Sequence, residues 1–169
     1  MCSPYIVPSS GFTCSSSSGW TCFNTFDEDV STFWTTEWDN VEKDRYAQGF
    51  MSWIQISFNE KLTVSRLDLF RQLVKTGMNG EKECSNFKDV ELAFEDGKGH
   101  TWSLITDKNQ NWQTIQISPN VRTSFIKISD TTGENDVTTF CESAISEVRV
   151  WGCNSDYIQR NTGKNLYLL

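Results

Sequence analysis

Trp53-Ile54-Gln55-Ile56-Ser57-Phe58-Asn59-Glu60-Lys61-Leu62-Thr63-Val64-Ser65-Arg66-Leu67-Asp68-Leu69-Phe70 alternates apolar and polar side chains for most of its length. Successive side chains of an extended chain point to opposite faces, so the pattern belongs to strands with one buried face. We expect one strand at residues 53–58, a second at Leu62–Phe70, and a hairpin connection through Asn59-Glu60-Lys61. Working outward, Asp89–Phe94 alternates, Glu95-Asp96-Gly97-Lys98-Gly99 signals a turn, and His100–Ile105 alternates again. Thr114–Ile117, Ser124–Ser129 and Ala144–Trp151 complete the set, and no stretch carries helical periodicity of useful length. Short strands separated by turn signals predict a β-sandwich or jelly roll.

The 169 residues suit one domain. Hydrophobic residues at 37% and charged residues at 22% belong to a folded chain rather than a disordered one. Seven Trp and eleven Phe supply large rings for a core or a binding surface. The net charge is −7 with Lys and Arg scattered, so DNA, RNA or heparin finds no basic footprint, which excludes a nucleic-acid partner. No apolar run approaches membrane-spanning length, and Met1-Cys2-Ser3-Pro4 lacks the basic and apolar regions of a cleavable signal. Six cysteines without a Cys-x-x-Cys pair, and a single histidine, do not suit a structural zinc site. They read as three disulfides formed in an oxidising, extracellular compartment, with every pairing still open.

Two loop-like regions stand out, Asn24–Gln48 and Arg71–Asn86, and long loops in a compact domain are usually functional or pinned down. Residues 1–153 form the expected domain, and 154–169 a C-terminal tail or linker. Asn24-Thr25-Phe26-Asp27-Glu28-Asp29-Val30-Ser31-Thr32-Phe33-Trp34 gathers carboxylates, hydroxyls and main-chain carbonyls in one tight loop. Hard cations such as Ca2+ take several oxygens of these types. The same loop closes without a metal if Asp27 and Thr32 bond their own backbone. Catalysis has little to work with: His100 sits beside a turn with no nucleophile motif around it. The acidic residues between Asp27 and Asp44 suit a solvated loop or a cation site better than a glycosidase pair, and the chain reads as a non-enzyme.

NTFDEDVSTFW at 24–34, WIQISF at 53–58, LTVSRLDLF at 62–70 and AISEVRVWGC at 144–153 together resemble the discoidin, or coagulation factor C-type (F5/8 type C), family. That family belongs to the galactose-binding-domain-like superfamily. Its pattern is an Asp-Gly-Asp-Pro-Ser-Thr-x-Trp loop, a Trp-Ile-Gln strand and a closing hydrophobic-x-Glu strand. The likeness spans Cys2 to Cys153 and implies an all-β, disulfide-stapled, discoidin-like jelly-roll β-sandwich of about eight strands. It also implies a structural Ca2+ held by the carboxylate of Asp27, the hydroxyl and carbonyl of Thr32, main-chain oxygens of Asn24 and Asp29, and Ser146 with Glu147. Glu28 stands where the family has Gly, and a left-handed backbone there costs a non-glycine residue about 1 kcal/mol. Trp34, Trp53 and Trp151 match the family's core positions, and Trp102 also reads as core. Trp20, Trp38 and Trp112 fall in or near loops.

Sugar-binding relatives hold their ligand on loops at one end of the sandwich. Arg71 stands where fucose lectins of the superfamily have a sugar-reading Arg, with Trp38, Arg45 and Tyr46 as companions. Those lectins continue Arg-x-Asp and pair with a His, whereas this chain has Gln72-Leu73 and Tyr46, which disfavours fucose. Lipid-binding relatives use apolar spikes backed by basic residues, here Leu73, Val74 and Met78 beside Lys75, but a charge of −7 works against an anionic membrane. The resemblance therefore implies a non-catalytic extracellular recognition domain. Its ligand is a glycan first, a protein in a structural or cell-adhesion contact second, and a phospholipid surface third. It implies a Cys2–Cys153 bridge across the chain ends; Cys14–Cys22 spans a Ser/Gly-rich stretch needing only a tight turn, and Cys84–Cys141 then joins two loops.

Overall fold

In the computed structural model, ten strands occur among the described residues. They are β1 Ser3–Ile6, β2 Phe12–Ser16, β3 Trp34–Thr35, β4 Trp53–Arg71, β5 Val74–Thr76, β6 Lys82–Cys84, β7 Asp89–Phe94, β8 Gly99–Ser103, β9 Trp112–Asp130 and β10 Ala144–Asn154. Five of them, β4 and β7 to β10, are built from the alternating segments. The structure describes residues 3–17, 21–35, 53–71, 74–76, 82–84, 89–103, 112–130 and 144–154, with the backbone alone at 35, 71, 74–76, 82–84, 130, 144 and 154. No α-helix occurs among the described residues. Eight strands form an antiparallel sheet in the order β1-β10-β4-β9-β7-β8, with β2 against β4 and β3 against β10, and β5 pairs β6 separately. The result is the expected all-β sandwich.

The 19-residue strands β4 and β9 run through its centre. Trp53–Ser57 pairs with Phe125–Ser129, and Leu62–Phe70 with Trp112–Thr123. Asn59-Glu60-Lys61 is therefore not a hairpin connection, because the residues on both sides of it pair with the same strand, β9. One half of β4 lies between β2 and β9, the other between β10 and β9. Thr114–Ile117 and Ser124–Ser129 are likewise parts of one strand. The turn after β7 forms as expected: the Gly97 N–H donates to Phe94 O at 3.1 Å, and Gly97 takes φ 71°.

Ile54, Ile56, Val64, Leu67, Val90, Leu92, Ile126, Ile128 and Trp34 are all 0% exposed, and each such aliphatic side chain contributes about 1.5–3 kcal/mol by leaving water. Trp53 and Trp151 do not join them. Each neighbours an inward residue, Ile54 or Val150, so each points outward, Trp53 under Lys127 (4.6 Å) and Trp151 under Arg66 (3.9 Å). Trp112 lies in β9 rather than a loop, with its ring 5.5 Å from that of Phe70. Trp102 is half-buried against the core, while Trp20 and Trp38 lie outside the described residues. Cys14 and Cys22 form a disulfide that ties β2 to a 3-10 turn at Cys22–Thr25. Cys153 is also disulfide-bonded, and the register sets it beside Pro4 of β1; Cys2, Cys141 and the Cys84 side chain lie outside the description. β10 runs through Asn154, whose backbone pairs with Ser3, and residues 155–169 lie outside the described residues.

Candidate functional site

The disulfide fixes the start of the acidic loop. Thr25 Oγ1 donates to Cys22 O at 2.7 Å and closes the 3-10 turn. Asp27 Oδ1 accepts from the Asp29 N–H at 3.0 Å, and Asp29 Oδ1 accepts from the Ser31 N–H at 2.8 Å and the Ser31 hydroxyl at 2.6 Å. These are two successive Asx turns. The Ser31 hydroxyl first, then its N–H, hold the Asp29 carboxyl below its ordinary pKa. Thr32 Oγ1 then lies 2.7 Å from Asp27 Oδ2, 2.9 Å from Asp29 O and 3.2 Å from Asn24 O. A hydroxyl carries one proton, so it can serve only one of these three acceptors at a time, although Asp29 O also accepts from the Thr32 N–H at 3.2 Å.

β3 pairs with Ala144–Ile145 and so delivers the loop to Ser146 and Glu147 of β10. Ser146 Oγ donates to Val30 O at 2.8 Å. A register irregularity between Ile145 and Glu147 marks a bulge, a device that re-aims side chains. Glu147 is 2% exposed, and its Oε2 has no hydrogen-bond partner among the described residues. Burial first, and the charge of Asp27 second, push its pKa up to about 7, partly offset by a bond from the Glu28 N–H. Glu28 itself sits in the left-handed region at φ 64°. Asp27, Glu28 and Glu147 line a cavity of about 430 Å3 whose other walls include Val7, Phe12 and Phe26. No group of three or more His, Cys, Asp or Glu side chains poised for a metal occurs among the described residues. The donors here are instead carboxylates, a hydroxyl and main-chain carbonyls.

The outer face of β10, β4 and β9 carries a second polar constellation. The register sets Trp151 beside Arg66 and Arg66 beside Gln116, then Arg149 beside Asp68 and Asp68 beside Thr114. Asp68, 7% exposed, accepts from Arg66 Nη2 at 2.8 Å, Trp151 Nε1 at 2.7 Å and Thr114 Oγ1 at 2.7 Å. Arg66 lies 3.9 Å over the Trp151 ring and Arg149 4.0 Å over that of Trp112. The sequence reading missed this network. Its signal was Arg66 and Asp68 on one side of a strand, with a Trp on the closing strand.

Of the expected ligand residues, Arg71 is placed by its backbone only: it pairs with Ile145, which also pairs with Trp34 at the loop's exit. The side chain of Arg71, and Trp38, Arg45 and Tyr46 entirely, lie outside the described residues. So do Leu73 and Met78, while Val74 and Lys75 appear as backbone in β5. His100 lies in β8, its ring 5.7 Å from that of Phe94 and 5.6 Å from that of Trp102.

The sequence pattern of the F5/8 type C domain family matches residues 11–143. The chain belongs to that family. Solved structures similar to this F5/8 type C domain include the family 32 carbohydrate-binding module of Clostridium perfringens NanJ in complex with galactose. It is 16% identical with a TM-score of 0.63, over 88% of this chain and 98% of that one. A second is a family 32 module from a family 31 glycoside hydrolase of Clostridium perfringens, 12% identical, TM-score 0.66, over 88% and 95%. A third is a mutant of the lectin binding domain of Lectinolysin complexed with Lewis b, 12% identical, TM-score 0.55, over 83% and 92%. At these identities the likeness is one of fold. No curated protein matches the chain in sequence. No helix among the described residues is long and apolar enough to cross a membrane.

Proposed function

We propose that this F5/8 type C domain is a non-catalytic extracellular glycan-binding module whose Asp27 loop is organised by a structural calcium ion. The observation that carries the glycan reading is the shared fold of solved structures complexed with galactose and with Lewis b, within a family whose pattern this chain matches. Trp38, Arg45, Tyr46 and Arg71 are the proposed contacts at the loop end. The disulfides support an extracellular setting, with Cys2–Cys153 and Cys84–Cys141 the proposed partners of Cys14–Cys22.

The residues fit a hard cation on one observation above all: a buried carboxylate oxygen of Glu147 without a partner among the described residues, within reach of the Asp27 charge and beside a loop where Asn24 O, Asp27 Oδ2 and Asp29 O crowd one hydroxyl. Leaving a buried polar atom unpaired costs about 1–3 kcal/mol, more when charged, and a divalent ion removes that penalty. Asp27, Thr32 and Glu147 would hold it by side chains, and Asn24, Asp29 and Ser146 by main-chain oxygens. When bound, the ion supplies charge neutralisation and a link from the loop to β10. A glycan array run with calcium and with EDTA tests both parts. Binding to galactose- or N-acetylgalactosamine-terminated glycans, weakened by EDTA, is expected. An empty array overturns the glycan reading, and binding indifferent to EDTA, with an unchanged melting curve, overturns the calcium one.

A further inference from the structure

We infer a second carbohydrate contact on the outer face of the sheet, a cleft between β1, β4, β9 and β10 that takes a single uncharged pyranose ring. It rests on the reading of the domain as a glycan binder, but lies on residues that reading does not use. The strand register makes the cleft. β4 and β9 pair in step from Phe70↔Trp112 to Arg66↔Gln116 and resume at Val64↔Val121, which leaves Ser65 alone against residues 117–120. Surplus residues on one strand must leave the plane of the sheet. Here they carry exposed Asn120 toward Cys153, its Nδ2 3.7 Å from the sulfur, beside the Trp151 end of β10. Pro4 of β1 completes a cavity of about 280 Å3 with Ser65, Arg66, Gln116, Asn120 and Trp151. Ligand pockets run from about 300 Å3 upward, so this one has room for one ring rather than a chain.

The lining has the chemistry of a neutral sugar site. Trp151, one face of which Arg66 covers at 3.9 Å, supplies a ring edge, and its Nε1–H is fixed to Asp68 at 2.7 Å, so the ring is held in place. Arg66 Nη2 is paired with Asp68 at 2.8 Å, which leaves no excess charge to select an anion. The rest of the Arg66 guanidinium has no hydrogen-bond partner among the described residues, its Nε being buried. Gln116 spends its Nε2 on Ser65 O at 3.0 Å and Asn120 its Nδ2 on the sulfur at 3.7 Å, so both keep an amide oxygen for hydroxyl protons. Donor, acceptors and a ring edge thus converge on one side of the sheet.

The test is an NMR titration of the full 15N-labelled chain with methyl β-galactopyranoside, and separately with N-acetylgalactosamine, each raised to about 50 mM to saturate a roughly millimolar contact. Saturable shifts of the Trp151 indole N–H and the Gln116 and Asn120 side-chain amides are expected. Asn120→Trp, which fills the mouth from an exposed position, should weaken binding reported by the Trp151 indole by at least about tenfold while leaving loop-end shifts in place. Gln116→Ala should weaken it about fivefold, and guards against a local disturbance of β9 by the bulkier variant. An unmoved Trp151 indole, or shifts there that survive both substitutions, overturns the second contact. The loop-end response and the array then decide the glycan reading separately.

Discussion

Replacing Glu147 with Gln keeps the outline of the side chain and fixes it in the uncharged form. In the metal-free protein, burial and Asp27 raise the Glu147 pKa from 4.5 to about 7. At roughly 1.4 kcal/mol per unit, that is about 3 kcal/mol by which folding disfavours the ionised carboxylate. The sign follows from proton linkage: the folded chain holds this proton more tightly than the unfolded chain. Its stabilising contribution is therefore full below pH 4.5 and is lost as pH rises through about 7. At pH 8 in EDTA, Glu147→Gln should then be more stable than the native chain by up to about 3 kcal/mol, or about 6–12 °C in Tm for a chain of this size. Near pH 5 the difference should shrink to about 1 kcal/mol, and below pH 4.5 the two should converge. Excess calcium should reverse the order, because an ion bound at 100 times its Kd adds about 3 kcal/mol and the Gln variant lacks a carboxylate ligand. Asp29 and Glu95, whose carboxyls are held low, lend stability that is lost in acid, but they do so equally in both proteins. Calorimetric melts from pH 4 to 8, with EDTA or calcium, read all of this. Equal melting at pH 8 in EDTA, or a Gln variant less stable in both conditions, would refute the orphaned-carboxylate argument.

Glu28→Gly should stabilise the metal-free domain by about 0.5–1 kcal/mol in chemical denaturation, since φ 64° suits glycine and the added chain entropy takes back part of the relief. Glu28→Ala keeps the strained backbone, so an equal gain there would assign the effect to charge instead. On the sheet face, Asp68→Ala leaves Arg66 and Trp151 Nε1 without their acceptor and should cost about 3 kcal/mol, whereas Thr114→Val should cost about 1 kcal/mol. Equal losses in the two would mean that Asp68 is not the hub.

The strands were legible because burial enforces their period. Ile54, Ile56, Phe58 and Val64 all occupy even positions and are all buried, and that shared phase also marks the error at Asn59-Glu60-Lys61. The apolar positions 58, 62 and 64 keep one phase straight through the polar triplet, which is what a single strand crossing an exposed stretch requires. Turn-forming residue types outweighed the phase in the reading. The register with β9 slips twice, between Ser57 and Leu62 without a change of phase, and again at Ser65, where the buried set moves to the odd positions Leu67 and Leu69. A change of phase inside an apolar run is the sequence trace of a bulge, and here it is also what opens the sheet-face cleft.

The acidic loop was legible by chemistry, since two Asp, a Ser and a Thr within six residues have few uses besides Asx turns and cations. Its junction with Glu147 was not, because no local pattern ties positions 27 and 147 together; only the family resemblance supplied it. The physical tie is β3, two residues long, whose pairing with Ala144–Ile145 sets the loop against the bulge of β10. The Asp68 network escaped for the opposite reason. Outward Arg and Asp in an alternating strand read as a solvated face, and they become a buried hub only when Trp151 arrives from a strand more than eighty residues away, its Nε1 2.7 Å from Asp68. Polar residues on the outside of a sheet therefore need to be read across the register rather than along the chain. A charge opposite a Trp on the neighbouring strand is a site to examine, whereas a charge opposite Thr or Ser alone is only a wet surface.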